Sequence, residues 1–166
     1  MTGSQKMLLS WGLALSIVGM AYGLWYALAD EHPTLERMGV SMASAFAEVA
    51  KGELDAAAAF LDDYGATRFE YVREVHAHGH LAALSTLLLL LALYFKQLAY
   101  SERIRLYLAW LLVFGTAALP LGSFLEILIA GPLPKILSVL GAVSVIGGMV
   151  AVAAGLMMPT EEKHGR

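Results

Sequence analysis

Apolar and polar positions separate into long blocks along this chain. Met7 to Ala29 and Ile136 to Met158 carry no charge over 23 residues each, Leu106 to Ala130 carries only Glu126, and Val75 to Phe95 carries only histidines. A hydrocarbon layer of about 30 Å needs roughly 20 helical residues at about 1.5 Å each, so each block predicts a membrane-spanning helix. The purely apolar run Leu81 to Phe95 is too short by itself, and the second span must reach back to about Val75. The first block sits where a secretory signal would, but it is longer than the apolar region of one and predicts a retained span.

Between the first two blocks, residues 30 to 74 change period. Leu35, Met38, Met42, Ala45, Phe46 and Val49 recur at three- and four-residue intervals, predicting an amphipathic helix that starts after Pro33 with Thr34 as its cap. A second short helix is expected over Glu53 to Tyr64, with Gly52 and Gly65 as terminators. From Thr67, the spacing of Phe69, Val72 and His76 predicts that the second span begins outside the membrane. The expected fold is all-α: one domain over residues 1–166, a four-span transmembrane helical bundle with a small extracytoplasmic helical cap lying over it.

Composition agrees with that class. The chain is 58% hydrophobic and 15% charged, with a mean hydropathy of +0.66, which makes the lipid bilayer its main surroundings. Six basic residues (Lys6, Lys96, Arg103, Arg105, Lys163, Arg166) and only Glu102, Glu161 and Glu162 fall on one side of the spans. Residues 30 to 75 hold ten carboxylates against Arg37, Lys51, Arg68 and Arg73. Basic short loops stay inside, so both termini are expected in the cytoplasm, most simply of a bacterial inner membrane. There is no cysteine, which excludes disulfides, thiolate metal sites, iron–sulfur clusters and thiol nucleophiles. Walker, dinucleotide-fingerprint, His-Glu-x-x-His and nucleophile-elbow motifs are absent, and nothing points to nucleic acid or to an enzyme acting alone.

The candidate chemistry is His76-Ala-His-Gly-His80, three of five histidines in one turn at the start of the second span. His76 and His80 share a helix face and can chelate one ion, while His78 points away. Counted along the helices, Glu126 on the third span reaches the same depth, and Asp30, Glu31 and His32 lie just beyond the first. The candidate metal ligands are therefore His76, His80, Glu126 and His32, with copper or zinc suiting imidazole and carboxylate. The same groups are also open to interfacial packing or proton exchange. An arginine such as Arg73 is an alternative partner for Glu126.

Small residues at four-residue spacing, Gly19 with Gly23 and Gly147 with Ala151 and Gly155, predict close helix packing within the chain or against a partner. Pro120 predicts a kink in the third span. Tyr22, Trp25, Tyr26, Tyr94, Tyr100, Tyr107 and Trp110 fall near span ends, as in an interfacial aromatic belt.

The string Val75-His-Ala-His-Gly-His-Leu-Ala-Ala-Leu84 resembles the histidine-bearing helices of heme–copper oxidase subunit I and its shorter membrane relatives. The resemblance covers about ten residues and implies heme b held by His76 with His78, or by His78 with His80. That family has about twelve spans and further histidines on other helices. Here a second axial ligand would come from His32, a second copy or a partner. The expected function is metal or heme binding at the extracytoplasmic boundary, in a subunit or accessory factor of a respiratory or metal-handling membrane complex. The other expectation is a structural subunit without a cofactor, which docks other membrane subunits or forms a homo-oligomer.

Overall fold

The chain folds into two antiparallel helical hairpins of unequal length. The structure, a computed structural model, describes residues 1–129 and 131–158; Ala130 and the tail with Glu161, Glu162, Lys163, His164 and Arg166 lie outside them. Five α-helices follow in order: α1 Gly3–Ala29, α2 Glu31–Lys51, α3 Leu54–Tyr94, α4 Glu102–Leu128 and α5 Pro132–Met157, with a 3-10 turn Phe95–Gln97 before α4. Among the described residues there is no strand. Four of the helices, all but α2, are long and apolar enough to cross a membrane, which makes this a multi-pass integral membrane protein.

The segment outside the apolar spans is helical, but it differs from the expected pair of short helices. α3 runs unbroken for 41 residues through Gly65, so the helix expected over Glu53 to Tyr64 and the second span are one element. At about 1.5 Å per residue α3 is about 60 Å long, roughly twice the hydrocarbon thickness. The cap is therefore an upright hairpin rather than a layer across the bundle. Gly52 does end α2, in the left-handed conformation at φ 84°, where its N–H reaches the carbonyls of Glu48 and Val49. α2 starts at Glu31, three residues before the Thr34 expected at its start, because a proline is tolerated in the first turn. Thr34 is buried and caps nothing; its hydroxyl donates to Asp30 Oδ2 at 3.4 Å and accepts from Arg37.

The seam of the long hairpin has a seven-residue period. Ala57, Tyr64, Tyr71, His78, Ser85 and Ala92 of α3 are all buried or half-buried. Gly12 and Gly19 of α1, and Thr34 and Ser41 of α2, are buried on the facing helices. The register is steady: a side chain added at Gly12 meets Leu88 and Leu89, at Gly19 Leu81, and at Gly23 His78, while Ser41 donates to Asp63 higher up. This is antiparallel pairing with small residues on the seam, which lets the backbones approach closely in lipid and in water alike.

The short hairpin α4–α5 uses the same device. A Cβ on Gly115 or Gly122 would strike α5, and one on Gly141 or Gly148 would strike α4. Of the small residues expected to pack in the last span, Gly155 sits against Tyr100, whose hydroxyl donates to the Ala151 carbonyl at 3.1 Å, but Gly147 faces open space. Pro120 is buried within α4 and does not end it. The two hairpins join at the end that carries the N-terminus. There Ser4 N–H donates to Glu102 Oε1 at 2.9 Å, and Ala99 N–H donates to the Gly155 carbonyl at 2.9 Å. Trp11 Nε1–H donates to Thr116 Oγ1 at 3.2 Å further along.

Candidate functional site

The seam explains how the three histidines divide. His78 occupies a seam position, its ring against Gly23 and its centroid 6.5 Å from that of Tyr22. His76 and His80 sit two residues to either side of it and leave the seam together. Their ring centroids are 6.2 Å apart with planes tilted by 48°. His76 is exposed and His80 half-buried. His76 Nδ1–H donates to the Val72 carbonyl at 2.7 Å; a carbonyl only accepts, so the proton of a neutral ring sits on Nδ1 and the Nε2 lone pair stays free. Metal-binding histidines are oriented in this way by a backbone carbonyl behind the ring.

The other candidate ligands are engaged elsewhere. Glu126 carries a side chain only 8% exposed, and its Oε2 lies 2.7 Å from Arg73, which also stacks its guanidinium 5.2 Å from the Phe69 ring centroid. The ion pair is close but not aligned as a hydrogen bond, so Oε2 keeps unused acceptor capacity. His32 is exposed on the first turn of α2. Among the described residues, no three His, Cys, Asp or Glu side chains gather as a metal site, so His76, His80, Glu126 and His32 are not brought together within one chain.

A second polar cluster lies beneath the first and was not expected. Tyr22 and Tyr26 on α1 and Glu74 and His78 on α3 are i,i+4 pairs facing each other across the seam. Each has a buried polar atom without a hydrogen-bond partner: both phenol oxygens, Glu74 Oε2 and His78 Nδ1. These tyrosines thus turn inward instead of forming a belt, with Tyr26 only 7% exposed, whereas Trp25 remains half exposed. Glu74 lies just outside the apolar span that starts at Val75; burial, with the neighbouring Asp30 side chain, pushes it up to about 7. Finding these four groups from sequence needed the α1–α3 register, which the spacing within α3 alone does not supply.

Towards the membrane centre the polar layer gives way to a cleft of about 340 Å³ between α1, α3 and α4, lined by Leu15, Tyr22, Ala77, Leu81, Pro120 and Phe124 among others. Its walls are apolar, as suits a hydrocarbon chain. No protein-family model, curated protein or solved structure matches the chain.

Proposed function

We propose that this is a membrane metal-binding protein that holds a copper or zinc ion at the extracytoplasmic membrane boundary through His76 and His80. The carrying observation is the paired imidazoles themselves, with the His76 ring oriented by the Val72 carbonyl and its Nε2 free. Imidazole is a ligand shared by zinc and copper(II), and the absence of cysteine leaves these donors as the natural ones. Glu126 belongs to Arg73 in this reading and helps to fix α3 against α4 instead of binding the ion. His78 holds the hairpin seam. The orientation in this reading rests on charge: the loops at the terminal end are basic and the α2–α3 hairpin is acidic, a pattern that supports an extracytoplasmic hairpin. An ion site at the membrane boundary suits a subunit or accessory factor of a respiratory or metal-handling complex.

Titration of the purified chain with zinc and copper, alongside a visible absorption spectrum, tests the reading. His76→Ala and His80→Ala are each expected to weaken ion binding about tenfold to a hundredfold, and His78→Ala and Glu126→Gln much less. A Soret band that vanishes in His78→Ala would replace the ion with heme b, held as the oxidase resemblance implies.

A further inference from the structure

The cleft between α1, α3 and α4 has a definite floor and mouth. Two small lining residues, Ala77 on α3 and Ala117 on α4, leave room for its volume of about 340 Å³. Trp11 on α1 forms the floor, tied to Thr116 of α4 by its indole N–H at 3.2 Å. Val18 and Leu121 line the cleft yet are 55% and 51% exposed, so the mouth opens sideways from the bundle, where a membrane protein meets hydrocarbon. Walls so poor in polar partners admit hydrocarbon rather than water.

The depth of the cleft matches one leaflet. Tyr22 and Trp11 stand at its two ends on α1, about 16 Å apart along the helix, against about 15 Å for half of a hydrocarbon layer. Tyr22 adjoins His78 of the polar layer, so the cleft belongs to the leaflet on the side of the α2–α3 hairpin. Spread over that length, the volume gives a mean cross-section of about 20 Å², the width of a single hydrocarbon chain and far less than a helix about 10 Å across.

A cation stands above the outer end. Arg73, Ala77 and Leu81 follow at four-residue spacing, so Arg73 continues the cleft-lining stripe of α3 one turn beyond it. Its side chain leans toward the helix N-terminus and away from the membrane centre, with the guanidinium 5.2 Å from the Phe69 ring centroid. Glu126 engages one nitrogen, Nη2, and 32% of the side chain stays exposed, so the five-donor guanidinium can take a second anion. Lipid phosphates lie at this level, just outside the hydrocarbon.

We infer that the cleft holds one acyl chain of a phospholipid from the hairpin-side leaflet, with the lipid phosphate on Arg73. A zwitterionic headgroup, its phosphate balanced by an ammonium, suits the site better than an anionic one. Glu126 already offsets Arg73, and residues 30 to 75 hold ten carboxylates against four basic side chains, which repel added negative charge.

Full-length protein in mild detergent is titrated with a synthetic phosphatidylethanolamine, and bound lipid is counted by native mass spectrometry. One saturable lipid per chain is expected. Ala117→Trp fills the cleft, leaves Arg73 untouched and should abolish that binding with helical content kept. Ala117→Leu adds less volume and should weaken binding in the same direction, which keeps the test decisive if the larger ring disturbs the fold. Arg73→Gln with Glu126→Gln removes the ion pair without leaving a bare charge. It should weaken binding about tenfold or more, the scale of a lost charge-assisted hydrogen bond. Phosphatidylglycerol bound more tightly than phosphatidylethanolamine overturns the zwitterionic headgroup. Lipid adducts that grow without saturation and are unaltered by Ala117→Trp are boundary lipid only and overturn the site. A dimer that binds no lipid puts a second chain against the cleft and overturns it too. None of these outcomes depends on ion binding by His76 and His80.

Discussion

The close contact of the His78 ring with the Gly23 backbone ties a histidine to helix packing rather than to a ligand. A side chain at position 23 has to displace that ring. Gly23→Ala is therefore expected to lower the melting temperature, and His78→Ala in the same chain to relieve most of the loss, with a coupling of about 0.5–3 kcal/mol in the double-mutant cycle. Additive losses would mean that the two residues do not touch. The neighbouring Glu74 makes a different prediction. Its folded pKa is raised to about 7 from an ordinary 4.5 by burial, then by Asp30 and Glu70, with Arg37 opposing. For a raised carboxyl, the stability is fully present below the unfolded value and is lost as pH rises through the folded one. Metal-free protein should thus melt progressively lower from about pH 4.5 to above 7, and Glu74→Gln should flatten that slope. The division of the three histidines was readable from i,i+4 spacing, whereas Glu74, Tyr22 and Tyr26 were not, because their meeting depends on how α1 and α3 align.

Gly52 and Gly65 show why the helical elements were only partly readable. Both look like stop signals in sequence, and only Gly52 is one, with φ 84°. The chain must reverse after α2, and glycine gives the left-handed residue that a reversal needs. At Gly65 the seven-residue seam from Ala57 to Ala92 runs straight on, so packing against α2 and α1 outweighs the roughly 1 kcal/mol penalty of a helical glycine. That seam was present in the sequence as a period of small and aromatic residues, hidden because polar groups such as Tyr64 and Tyr71 occupy it. A single helix makes a measurable claim. Spin labels at Leu54 and Tyr94 should lie about 60 Å apart. A markedly shorter distance would mean that α3 bends near Gly65 into the two helices first expected.

The four spans were plain from hydropathy, because a bilayer demands about 20 apolar residues wherever it is crossed. Their unequal hairpins were not, since hydropathy is silent about a helix that continues into water. α3 continues upward for some 20 residues from the polar layer at Glu74, so the α2–α3 turn stands about 30 Å beyond the membrane boundary. Lys51 lies at this tip, exposed and, among the described residues, paired with Glu48 of its own helix at 2.7 Å. The tip therefore reports orientation without disturbing the seam. With acidic residues concentrated on this hairpin and basic ones on the α3–α4 loop, the tip should face away from the cytoplasm. Since the native chain has no cysteine, a Lys51→Cys variant offers one thiol. An impermeant maleimide should modify it in intact cells or right-side-out vesicles. Modification only in inverted vesicles would place the acidic hairpin inside, and the His76–His80 pair would then meet cytoplasmic metal rather than metal from outside.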